Sequence, residues 1–150
     1  MLTTPGIRYV LYIGTTPDRV WNSLTRNKDL KIYWGDIRST WVPQTEVVEV
    51  DVNGKPLWRG EVLRCDASAL LSFTFEPGGG EPPTEVNFTL ESPKTPIAPG
   101  SAVTKLIFRQ SGFAADSKSF PAFADAWPEI LSSLKTFLET GSPLAFAWKK

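Results

Sequence analysis

Apolar residues recur every three or four positions between Ser119 and Thr140: Phe120, Phe123, Ala124, Trp127, Ile130, Leu131, Leu134, Phe137 and Leu138. Asp125, Glu129, Lys135 and Glu139 fill the intervening turns. That period gathers the apolar set on one stripe of an α-helix. Pro128 falls inside the repeat and predicts a kink rather than a helix start, because Phe120 and Phe123 already follow the period. Thr140-Gly141-Ser142-Pro143 ends the helix. A helix of this length runs roughly 30 Å and needs a broad apolar surface to lie on.

The middle of the chain supplies that surface as alternating strands. Glu46 to Val52 alternates with Val48, Val50 and Val52 on one face, and Asn53-Gly54 turns it back into Leu57–Cys65 as a hairpin. Leu70–Phe75 carries Leu71, Phe73 and Phe75 on one face. The Gly-Gly-Gly loop 77–83 separates it from Thr84–Leu90, where Val86, Phe88 and Leu90 alternate. A Pro- and Gly-containing connection, 93–100, leads to a last strand, Ala102–Gln110. Short strands joined by such turns favour one curled antiparallel sheet, and Trp41 with its neighbours suggests a further edge strand.

Ahead of these, Arg8–Ile13 reads as a first strand. Thr16 is a good N-cap with Pro17 at the first helical position and Asp18 in the first turn. Val20, Trp21 and Leu24 form the buried side of that short helix. A second short helix is expected over Lys28–Trp34, capped by Asn27 and closed by Gly35.

Composition narrows the chemistry. Sixteen Lys and Arg balance sixteen Asp and Glu over 150 residues, so neither nucleic acid nor an anionic membrane is indicated as a partner. One domain, 1–150 with a tail at 141–150, is the expectation from length. There is no apolar run long enough to span a membrane, and Met1–Gly6 lacks the pattern of a secretory leader. With the single Cys65, this points to a reducing, cytoplasmic setting. Histidine is absent altogether. That removes Ser-His-Asp and Cys-His machinery and His-based metal sites; no cofactor or metal is expected.

Several short pieces also stand in a familiar order: Pro17-Asp18-Arg19-Val20-Trp21 with Leu24-Thr25, Trp34-Gly35, Arg59-Gly60-Glu61-Val62, Asp66, Glu85–Leu90, Ser111-Gly112-Phe113, and Trp127-Pro128-Glu129-Ile130-Leu131 with Leu134-Lys135 and Phe137-Leu138-Glu139. Their joint order resembles the family named after the activator of the heat-shock protein 90 ATPase (its C-terminal domain), within the START-like, SRPBCC superfamily. The chain departs from that pattern at Tyr33-Trp34, after Asp66 and at Gln110. The resemblance implies an α+β helix-grip fold, in which a curved antiparallel sheet of about seven strands wraps a long C-terminal helix, with two short helices after the first strand. It also implies a cavity between sheet and helix.

Residues expected to line that cavity are Trp34, Trp41, Trp58, Phe73, Phe75, Phe88, Phe108, Trp127 and Leu131, with Gln110 as a polar group sharing strand parity with Phe108. Each alone reads as ordinary core; six Trp and nine Phe in one chain point to a pocket for a small apolar molecule. Glu46 and Arg64 are weaker inward candidates by parity, and Asp36 and Arg38, in the loop after the second helix, are candidates for the pocket rim. Three functions follow: non-catalytic binding of a small apolar or aromatic ligand, a polyketide cyclase- or hydratase-like enzyme using Glu46, Glu61, Asp36 or Tyr33 for proton transfer, and a chaperone-interacting protein. Either a monomer or a homodimer fits, and the aromatic tail Leu144–Trp148 either folds back or meets a second chain.

Overall fold

The computed structural model describes residues 4–147. β1 (Ile7–Ile13) leads into α1 (Pro17–Thr25) and α2 (Asn27–Tyr33), then β2 (Asp36–Ser39), β3 (Glu46–Val50), β4 (Pro56–Asp66), β5 (Leu70–Phe75), β6 (Thr84–Glu91), β7 (Thr104–Ser111) and α3 (Phe120–Thr140). The strands form one antiparallel sheet in the order β1-β7-β6-β5-β4-β3-β2. This is the helix-grip arrangement, with the buried stripe of α3 (Trp127, Leu131, Leu134, Phe137) against the inner face of the sheet.

Local chemistry accounts for the boundaries. Thr16 caps α1, its hydroxyl accepting from the Arg19 amide at 3.2 Å. Gly141 closes α3 in the left-handed region (φ 89°), its amide reaching Phe137 O at 2.8 Å. The helix runs through Pro128, as the apolar period predicts. Proline has no amide to give the carbonyl four residues back; the Tyr9 hydroxyl donates to that carbonyl, Ala124 O, at 3.3 Å. Strand β1 thus satisfies the acceptor that Pro128 releases.

Strand parity is as expected in β5, β6 and β7, where Leu71, Phe73, Phe75, Val86, Phe88, Leu90, Leu106, Phe108 and Gln110 are buried. It fails in β3. Val47, Glu49 and Val50 are buried there, and Val52 is 86% exposed beyond the strand end. A register shift between Glu49 and Val50 is the cause, since a bulge breaks the period of two. A second shift between Val62 and Arg64 turns Arg64 to the surface, paired with Asp66. Glu46 is exposed and paired with Arg59.

Three further expectations are corrected. Asn27 does not cap α2: Arg26 occupies that position without a side-chain cap, and the Asn27 amide instead bridges Asp36 Oδ1 and Ile37 O. Trp41 is not in an edge strand, which ends at Ser39. Asp36 and Arg38 belong to that strand, not to a loop. Among the described residues no helix is long and apolar enough to cross a membrane.

Candidate functional site

The aromatic side chains nominated from the sequence converge between α3 and the sheet. Trp34 caps the C-terminus of α2, Trp58 stands on β4, Phe73 and Phe75 on β5, Phe88 on β6, Phe108 and Gln110 on β7, and Trp127 and Leu131 on α3. The pleat puts Phe73 and Phe75 on one face, and cross-strand register sets Phe88 beside both Leu71 and Phe108.

Five of these rings form a closed circuit. Trp34 stacks on Trp58 (6.0 Å between centroids), Trp58 on Phe73 (5.9 Å), Phe73 meets Phe88 (6.3 Å), Phe88 meets Trp127 (6.2 Å), and Trp127 returns edge-on to Trp34 (5.1 Å). Tighter contacts brace the circuit: Phe75 against Trp58 at 4.0 Å and Phe108 against Trp127 at 4.2 Å. Offset and edge-on pairs at these separations are the favoured aromatic geometries. Trp34, Phe73, Phe88 and Trp127 are buried, whereas Trp58 is half-buried, so the circuit has one side nearer the solvent.

Trp41 approaches from the loop after β2, its ring 6.1 Å from Phe73. Its backbone sits in the left-handed region (φ 57°), uncommon for a bulky side chain. The indole Nε1–H donates to Thr25 O at 2.7 Å and the Trp41 amide to Ser39 Oγ at 2.9 Å, which fix the loop in that conformation. Leu131 lies one turn beyond Trp127 and also reaches a groove beside β1.

Polar side chains also touch the circuit. The first, Gln110, is fully buried and links helix to sheet: Trp127 Nε1–H donates to its Oε1 at 2.8 Å, and its Nε2 donates to Thr84 Oγ1 at 2.9 Å. Thr84 in turn donates to Phe75 O at 2.9 Å. The second, Glu49, was missed because the bulge in β3 hides its parity. It is buried opposite Trp58 in register and accepts Trp58 Nε1–H at 2.9 Å. Phe113, Phe120 and Phe123 extend the aromatic cluster toward the start of α3, with Phe123 edge-on to Phe75 at 5.1 Å. Phe120 and Phe123 were legible in the helical period; nothing in the sequence singled out Phe113.

The groups nominated for proton transfer do not converge. Glu46 and Glu61 are exposed on the sheet. Asp36 binds Arg38 and Asn27, which hold its carboxyl below the usual range. Tyr33 is buried with its hydroxyl donating to Ser23 O at 2.7 Å; burial, reinforced by the Asp29 charge, pushes its phenol far above the ordinary range. Among the described residues no three His, Cys, Asp or Glu side chains gather as a metal site.

Clefts also open on the outside of the molecule. One of about 540 Å³ lies over Gly60 among Glu46, Arg59, Glu61 and Glu76, and one of about 380 Å³ is lined by Lys31, Asp36, Arg38 and Asp51. These are polar and lie away from the aromatic circuit.

Comparison with known proteins sets this geometry in context. Residues 14–139 match the family model described as Activator of Hsp90 ATPase homolog 1-like protein. Protein MLL2253 from Mesorhizobium loti is similar at a TM-score of 0.75 and 20% identity, over 89% of this chain and 96% of that one. The Aha1 dimer from Colwellia psychrerythraea gives 0.73 and 22%, over 92% and 98%. DynU16, a protein in the dynemicin biosynthetic locus, gives 0.78 and 19% over 96% of this chain, which spans about half (51%) of that one. At such identities these likenesses establish the fold. No functionally curated protein matches the sequence.

Proposed function

The chain belongs to the Activator of Hsp90 ATPase homolog 1-like family, and from that premise we propose that it binds a small apolar or aromatic molecule between sheet and α3 without transforming it. The closed circuit of Trp34, Trp58, Phe73, Phe88 and Trp127 is the observation that carries this reading. Ring faces and edges offer large contact area at low conformational cost, and two polar side chains, Gln110 and Glu49, border the rings. Glu46, Glu61 and Asp36 stand apart from the circuit, and Glu49, the acid that meets it, is engaged by the Trp58 indole, so binding is preferred over catalysis. The family description adds a second reading, contact with a chaperone ATPase; a purified chaperone whose ATPase rate is unchanged by this protein would remove it.

The binding unit is taken to be one domain acting in the cytoplasm, and two copies to associate, as in the Colwellia relative solved as a dimer. Native mass spectrometry of freshly purified protein against the denatured sample tests the binding proposal. A mass excess lost on denaturation is expected, with the adduct mass giving the ligand class. A clean apo mass, followed by no adduct with naphthalene-type or fatty-acid probes, would contradict it.

A further inference from the structure

The two edges of the sheet are not alike. Strand β2 is short, four residues, and carries Asp36 and Arg38 paired with each other. Short charged edges are the usual protection against pairing with another chain. Strand β1 has seven residues, no proline, an unbroken register with β7 and one charge, Arg8. It has such protection at one end only, where Lys135 of α3 reaches the Tyr12 carbonyl.

Which side of β1 is free can be read from α3. Lys135 Nζ donates to Tyr12 O at 2.6 Å, so that carbonyl points away from β7. Backbone groups alternate in direction along an antiparallel strand, so Val10 and Arg8 present theirs on the same free side. Along it runs a groove of about 200 Å³ lined by Tyr9, Val10, Leu11, Pro128, Leu131 and Lys135, among others. On the outer face Val10 is 37% and Tyr12 48% exposed, and Tyr12 also borders an apolar cleft of about 500 Å³ with Pro96, Ile97 and Val103.

We infer that the free edge of β1 is an interface with a second copy of this chain, the two β1 strands running antiparallel about a two-fold axis at Val10. This names the surface for the two-copy assembly proposed above, and rests on it. A two-fold interface must be complementary to itself, and Ile7-Arg8-Tyr9-Val10-Leu11-Tyr12-Ile13 is nearly palindromic in chemistry. About Val10, Ile7 meets Ile13, Tyr9 meets Leu11 over the groove, and Arg8 meets Tyr12 twice. The last pair sets a guanidinium beside an aromatic ring, and the Arg8 amide of the second copy takes over the Tyr12 carbonyl from Lys135. Strand addition of this kind draws affinity from main-chain hydrogen bonds and specificity from alternate side chains.

Sedimentation velocity over a concentration series tests it on wild type, Val10→Lys and Tyr12→Lys, with circular dichroism confirming that each variant is folded. A lysine at the axis faces its own copy, so Val10→Lys is expected to raise the dimer dissociation constant about tenfold or more. In a Cys65→Ala background, Val10→Cys is expected to give a disulfide-linked dimer on mild oxidation. Directly opposed residues on such strands have Cα atoms about 5.5 Å apart, within disulfide reach. Val52→Cys, beyond the end of β3, is the control expected to stay unlinked. A monomeric wild type would overturn both the assembly and the surface. A dimer whose dissociation constant is unchanged in both lysine variants, or which fails to link through Val10→Cys, would overturn the β1 surface alone.

Discussion

Replacing Gln110 tests the buried chain that ties α3 to the sheet. In Gln110→Ala the Trp127 indole N–H loses its acceptor inside an apolar environment, and Thr84 loses one of its two partners. An orphaned buried donor costs about 1–3 kcal/mol and a lost hydrogen bond to a group still bonded elsewhere about 1 kcal/mol. The missing methylene adds about 0.8 kcal/mol. The expected loss is about 3–5 kcal/mol, a large part of the roughly 5–15 kcal/mol that holds a domain together. In urea denaturation followed by far-UV circular dichroism, that is a drop in midpoint of about 2 M for a slope near 2 kcal/mol/M. Gln110→Met separates hydrogen bonding from volume, because it fills the space and still orphans the indole. Trp127→Phe in the Gln110→Met background removes the orphan, so the pair should be less destabilising than the single changes summed. The reasoning is refuted if Gln110→Met costs less than about 0.5 kcal/mol, or if the two changes are simply additive.

Other consequences are equally direct. A methyl group at Gly60 would collide with the Thr74 carbonyl oxygen, where β4 lies against β5, so Gly60→Ala should lower stability by about 3 kcal/mol or more in the same denaturation assay. Lys135 and the Gly14 amide hold the Glu139 carboxyl below its ordinary value. That stabilisation is present above the unfolded carboxylate pKa and is lost as pH falls through the lower folded value. Glu139→Gln should therefore be less stable than wild type at neutral pH and converge with it under acid, measured as thermal midpoints against pH. For Tyr33, burial raises the folded pKa, so the stabilisation is complete below the unfolded phenol value of about 10 and fades as pH rises above it. Of the three tyrosines, Tyr33 should show its phenolate absorbance only when the far-UV signal collapses.

The long helix and the three strands β5, β6 and β7 were legible because each keeps one period from end to end, with apolar residues on a single face. The continuity of α3 through Pro128 followed from the same period, although the compensation by Tyr9 needs the third dimension. Strand β3 was misread because valines stand on both parities and a bulge shifts the register after Glu49. Glu49, the acid bonded to the aromatic circuit, was hidden for that reason, while Glu46, three residues earlier, took its place. Asn27 looked like a cap because Asn favours that position, but its amide satisfies β2 instead. The aromatic members of the circuit were nominated by count and residue type. Their closure into a circuit was not, since contacts such as Trp34 with Trp127 join residues far apart in sequence. Of the tail, Trp148 lies outside the described residues; Leu144 is tied back by its amide to Ser133 Oγ at 3.2 Å.

The central claim is that a small apolar ligand is held by the aromatic circuit between α3 and the sheet. Its most direct test is an NMR titration of ¹⁵N-labelled protein with a naphthalene-type probe, following the tryptophan indole N–H signals. The account predicts saturable shifts at Trp34, Trp58 and Trp127, with Trp21 of α1, which is outside the circuit, unmoved. Shifts absent from all three, or confined to the amides around Tyr12 and Ile97 on the outer face, would contradict it.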